Sequence, residues 1–394
     1  MKKVFTLLPL AVVCATQFAH AATDAERLAQ VEQELAMLQE QSAYDTLADR
    51  MTINGFFTGK MVVANNDAGF DNATKNPNFG DGSKLGLQGT FAITDQTQVV
   101  AQIVGRGSDG WTPEMEWAFL SHDFDNGFVA RVGRLRLPLY MYSDFLEVGY
   151  AQPWATPPAD VYTIAPITSF NGVDVTYQHD LGDATLALQA SYGNDSSSGE
   201  DNSVGKDVDF KDITGVSATL SYEDWVFRGT YFQTDLSSVH TGLPALGAFE
   251  NEKGQFFGGG VSYDNGSFLA ISEYTVSKVE GAYADTESAY ITLGYRVEAF
   301  TPYVSYSYLK TTDDEMRAGS APDMALLNWQ RTTYSVGTRY DINHNLALKL
   351  DVTYAGDFDG TTGALTSNID PSTYENTQEF DDTVVYTISF DAVF

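Results

Sequence analysis

The chain has 394 residues and a formal net charge of −31, from 53 acidic against 22 basic side chains. That balance excludes a nucleic-acid partner, which needs a basic footprint, and charge-driven docking on anionic membrane surfaces. After the leader there is no run of ~18 apolar residues, so a membrane helix is excluded and a closed barrel is the one route left across a bilayer.

Residues 1–21 read as a signal peptide: Lys2 and Lys3, an apolar run from Val4 to Cys14, then the A-x-A site Ala19-His20-Ala21. Val13 does not suit lipidation at Cys14, and removal of the leader takes away the only thiol, so no disulfide is expected. Residues 22–48 read as a periplasmic helix. Thr23 and Glu26 form a capping box, and Leu28, Val31, Leu35 and Leu38 form an a/d seam. So short a seam does not associate alone. It either joins three chains that something else has clustered, as a trimeric coiled coil, or docks singly on a surface.

From residue 49 to 394 the period becomes two. Sixteen alternating segments are predicted, at 51–63, 83–93, 97–106, 114–123, 127–137, 170–180, 184–193, 212–222, 225–234, 254–263, 267–277, 287–296, 299–309, 331–341, 345–355 and 383–394. The last is the clearest: Tyr386, Ile388, Phe390, Ala392 and Phe394 share one face, and Thr387, Ser389 and Asp391 the other. Short turns such as Asp125-Asn126-Gly127 and Asp264-Asn265-Gly266 follow even strands, and long loops follow odd ones. Tyr177, Tyr222, Tyr263, Tyr295 and Tyr340 recur just before short turns, as an interfacial girdle requires. The expected fold is all-β: a 16-stranded antiparallel transmembrane β-barrel with a short N-terminal periplasmic helix.

The strand count, the terminal motif Tyr386-x-Ile388-x-Phe390-x-Ala392-x-Phe394 and the long third loop, 139–169, resemble the general porin superfamily of Gram-negative outer membranes. The likeness covers the chain from about Thr52 to Phe394. It implies that the third loop folds inward to narrow the channel, that the barrels form homotrimers, and that the C-terminal strand is the membrane-insertion signal read by the barrel-assembly machinery. The N-terminal heptads are similar to those of porins with a periplasmic coiled coil, including the dicarboxylate-associated DcaP-like group.

Parity turns Lys60, Lys84, Arg106, Arg134 and Arg136 toward the lumen, on neighbouring strands that make an arc about 20 Å wide. Arg131 has the opposite parity: either it lies near the rim, or a bulge near Gly133 re-aims the strand. Arg228, Arg296 and Arg339 also face inward, near the periplasmic ends, as rim charges. The third loop is stiffened by Pro153, Pro157, Pro158 and Pro166. By the resemblance, its acids Asp144, Glu147 and Asp160 face the basic wall across the constriction. Acidic outer segments at 195–212 and 357–382 favour cations at the mouth, against the pull of the basic wall. Asp357-x-Asp359-Gly360 lacks the later ligands of a calcium loop, so it reads as an acidic turn and no metal is expected.

The expected function is passive diffusion of small hydrophilic solutes and ions across the outer membrane, embedded in lipid, without catalysis or cofactor. A substrate-specific porin for a dicarboxylate or other small anion shares every feature above. A barrel enzyme needs a nucleophile beside a histidine, and His122, His179, His240 and His344 have no Ser at a telling spacing. A soluble β-protein does not predict one-sided loop lengths.

Overall fold

The computed structural model describes residues 50–198, 207–238, 249–281, 284–313, 328–368, 377 and 379–394. The segments expected from the sequence to be a signal peptide, 1–21, and a helix, 22–48, lie with His240 outside the described residues. Of the two compact units, Met1–Arg50 and Met51–Phe394, the second carries the fold.

Sixteen antiparallel strands pair in chain order, and β1 closes on β16. They are β1 (Met51–Ala64), β2 (Lys84–Ala92), β3 (Thr97–Arg106), β4 (Pro113–Asp123), β5 (Phe128–Arg136), β6 (Ser169–Leu181), β7 (Ala184–Ser198) and β8 (Asp207–Tyr222). The second half comprises β9 (Trp225–Ser238), β10 (Phe249–Asp264), β11 (Phe268–Val279), β12 (Thr286–Tyr295), β13 (Phe300–Thr311), β14 (Gln330–Asn343), β15 (Leu346–Gly356) and β16 (Thr383–Val393). Closure satisfies every ladder and leaves no edge in hydrocarbon.

The outward parity is greasy and exposed, as with Leu85, Ile103, Val132, Val173, Leu188, Val304, Leu350 and Ile388. A soluble protein does not tolerate an apolar surface of that extent. Tyrosines at the short-turn ends pack against aromatic neighbours, Phe128–Tyr177 at 4.5 Å, Trp225–Tyr263 at 4.6 Å and Phe300–Tyr340 at 4.6 Å.

Strand bounds match the sequence expectation within two residues, except that β7–β10 run further on the long-loop side. There Asn194-Asp195-Ser196-Ser197-Ser198 is polar on both faces, so alternation disappears while the ladder continues to Ser198↔Asp207.

A second difference lies inside. The inward faces of β8–β13 carry buried Ile213, Phe232, Phe256, Ile271, Tyr290 and Tyr303, although alternation in a transmembrane barrel sets polar residues on the lumen side. They form one apolar cluster with Leu137, Leu139, Trp154 and Tyr162 of the third loop. Each such side chain contributes about 1.5–3 kcal/mol on burial. The loop, with a short helix at Ala159–Tyr162, is therefore seated on the wall by a hydrophobic core as well as by polar contacts.

Candidate functional site

The third loop begins where β5 leaves the sheet and returns at β6, and its acids reach the basic wall directly. Glu147 takes the Lys84 ammonium at 3.3 Å and an Arg106 guanidinium nitrogen at 2.9 Å, with Arg136 at 3.8 Å. Arg106 also meets Glu114 at 3.0 Å, and both arginines grip Glu116. Arg136 donates to the Ser143 carbonyl at 2.7 Å and lies over the Trp117 ring. Three cations and three carboxylates thus neutralise one another. Burial alone pushes the Glu147 carboxyl up, but Lys84, Arg106 and Arg136 outweigh burial and hold it at about 2.

Glu116 is inward because β4 is bulged there: Gln102 pairs with Trp117 but Ile103 with Met115, leaving Glu116 as the extra residue. Period-two counting hides such a residue. Glu114, two before it, has the same parity and is hidden by the same count.

Asp160 is fully buried, bound by Arg331 Nε at 2.6 Å and by the Ser307 hydroxyl at 2.6 Å. Glu273 of β11 accepts from the Met141 peptide N–H at 2.8 Å, the Tyr290 hydroxyl at 2.7 Å and the Tyr162 hydroxyl. Lys349 pairs with Asp391 at 3.0 Å and donates to the Gly149 carbonyl at 2.6 Å. A Cβ at Gly149 would lie 2.2 Å from an Asp391 oxygen, so only glycine lets the loop approach β16 here. The loop is pinned to several walls at once, and two of its three singled-out acids serve as anchors. Asp144 stays exposed on the turn Ser143–Phe145.

Four of the five wall residues, Lys60, Lys84, Arg106 and Arg136, are placed on the lumen side. Arg134 is not brought to the site. It sits opposite Ala118 and Asn171 on the parity of exposed Val132, and binds Asp195 at 3.1 Å. Arg131 is the inward member instead, held by Asp174 at 2.9 Å and 2.5 Å over the Phe119 ring. The ladder keeps its register through Gly133, so strict alternation places Arg134 outward, and Arg136 returns to the lumen as the chain leaves the sheet. Arg228 and Arg339 are not free rim charges: they donate to the loop carbonyls of Pro138 at 3.0 Å and Tyr150 at 2.5 Å, because the loop descends to that level. Arg296 stays at the short-turn rim with Asp264, 2.7 Å away.

Lys60 is 8% exposed and its ammonium has no ion-pair partner among the described residues. It lines a cavity of about 290 Å³ with Lys84, Glu147 and, from the first loop, Asp71 and Asp81, two acids that sequence reasoning missed.

Neither a family model nor a curated protein sequence matches the chain. Solved structures do. An anion-selective porin from Comamonas acidovorans aligns at 14% identity and TM-score 0.57, over 87% of this chain and 99% of that one. A trimer form of OmpT, an outer membrane protein of Vibrio cholerae, aligns at 13% identity and TM-score 0.55, over 87% and 99%. The outer membrane channel DcaP of Acinetobacter baumannii aligns at 13% identity and TM-score 0.52, over 87% and 97%. The shared property is the fold, a 16-stranded porin-type barrel.

Proposed function

We propose that the protein is a porin of a Gram-negative outer membrane, through which small hydrophilic solutes and ions diffuse passively. The carrying observation is the closed barrel, apolar outside, with an inward loop bound to charged residues of its inner wall. Such a collar of fixed charge in a low-dielectric frame focuses field on permeating ions. The filter residues are Lys60, Lys84, Arg106 and Arg136, with Glu116 and Glu147 balancing them and Asp144 exposed to solute. Neither covalent chemistry nor a cofactor enters this reading. Among the described histidines, His122 contacts Thr97 at 2.8 Å and His179 contacts Tyr177 at 3.4 Å, and neither bond offers an activated serine.

The remaining assignments follow from the same reading. Residues 1–21 direct export, β16 is recognised by the assembly machinery, and 22–48 bundles in the periplasm beneath a homotrimer. Purified protein in a planar bilayer is expected to give discrete conductance steps in KCl. A bilayer that stays silent at protein loads where other porins insert would sink the proposal. Unboiled protein on a denaturing gel is expected to run as a trimer, and to fall to a 43.1 kDa chain or its processed form after boiling.

A further inference from the structure

The first loop, 65–83, is built into the lumen. The Val62 N–H donates to the Asn78 carbonyl at 2.9 Å, the Asn78 N–H to Val62 at 2.8 Å, and the Ala64 N–H to Thr74 at 2.7 Å. Ala68, Phe70 and Ala73 are buried against Val62, Phe358 and Leu365. The Ser83 hydroxyl accepts from the Lys60 peptide N–H at 2.8 Å. The loop is thereby a fixed wall, and it brings Asp71 and Asp81 to the cavity that Lys60 lines.

The charges around this cavity divide into two sets. Glu147 and Asp391 are engaged by Lys84, Arg106 and Lys349. What remains is one ammonium, Lys60, and two carboxylates, Asp71 and Asp81, of which Asp81 takes one neutral hydrogen bond from Asn78 at 2.7 Å. A buried ammonium that no carboxylate contacts directly is costly to keep. Gly82, at φ +76°, leaves the space along which the Lys60 stem lies: a Cβ there would stand 2.5 Å from its Cδ. Burial raises the Asp81 carboxyl, Asp71 raises it further, and Lys60 opposes both, so the three groups share one field.

We infer that this cavity is a solute site for small zwitterions of the α-amino-acid class, with the carboxylate on Lys60 and the ammonium on Asp71 and Asp81. The inference rests on the channel reading and adds the class of solute. An uncharged solute gains neither contact. A simple anion gains Lys60 but meets two carboxylates, and a simple cation meets the reverse. A volume of about 290 Å³ is at the small end for ligand cavities, as suits such solutes.

Liposome swelling with the full protein tests this with two near-isosteric probes, L-alanine and uncharged lactamide. The wild type is expected to admit alanine several-fold faster than lactamide. Lys60→Gln, and separately Asp71→Asn with Asp81→Asn, bring the alanine-to-lactamide ratio to about one, and Lys60→Arg keeps it high. Each variant is scored only as protein that shows the heat-dependent gel shift of a folded barrel. Equal wild-type rates for the two probes, or variants that slow both alike, overturn the zwitterion site while leaving the channel in place. If neither probe enters, the channel reading falls and takes the site with it.

Discussion

Deletion of Thr383–Phe394 is expected to abolish the barrel, so that no heat-modifiable species accumulates in the membrane. β16 pairs with β1 from Phe56↔Val393 to Ala64↔Val385 and with β15 from Leu346↔Ala392 to Ala355↔Thr383. Its loss opens two ladders, and each unsatisfied backbone group in hydrocarbon costs several kcal/mol. A few such groups exceed the about 5–15 kcal/mol that ordinarily separates folded from unfolded chains. The terminal residue is part of the seam: the Phe394 N–H donates to the Gly55 carbonyl at 2.9 Å, and the Gly55 N–H returns to Phe394 at 2.7 Å. Recovery of a boil-sensitive band from the truncated chain would remove the closure argument.

Glu147→Ala has the largest expected effect on a chain that still assembles. The substitution strips the loop carboxylate from Lys84, Arg106 and Arg136. Breaking a buried pair by removing one partner typically costs about 3–5 kcal/mol locally. Glu114 and Glu116 still balance part of the wall, so about one positive charge is uncovered at the constriction. At a few Å that is worth about 1 kcal/mol or more even in bulk water, hence a shift toward anions of at least about fivefold in permeability ratio. Reversal potential across a KCl gradient reads this directly, and an unmoved potential would sink the assignment. The same contact dictates acid behaviour. Because the Glu147 carboxyl is held at about 2, the stability it lends is full above the ordinary carboxylate range and is lost progressively as pH falls from that range to about 2. Protection of loop 137–168 from protease should therefore persist at pH 4 and fail near pH 2. Exposure of the loop already at pH 4 would contradict it.

Most of the fold was legible because lipid imposes alternation on every strand it touches, as Tyr386 through Phe394 display. The legible part ended where that pressure ended. Above the bilayer, Asn194–Ser198 pair with no lipid to sort their faces, so the longer β7 escaped notice. In Phe256-Phe257 both faces are aromatic, and no pattern distinguishes the inward ring that seats the third loop from the outward one in lipid. Parity placed Lys60, Lys84 and Arg106, whereas it failed at Arg134 because two arginines of opposite parity, Arg131 and Arg134, compete on β5. The bulge at Glu116 and the infolded first loop depend on contacts far apart in sequence. For the latter, Phe70 between Ala68 and Ala73 was the available hint: apolar residues in a loop that water alone would not select.

The seat of the third loop is contributed by β1 and β2 near one end of the chain and by β9–β16 toward the other. The full set of docking contacts therefore exists only once both ends of the chain are in place. Trp154, 1% exposed and donating to the Thr292 hydroxyl at 2.8 Å, is a built-in probe whose emission is expected to report docking of the loop.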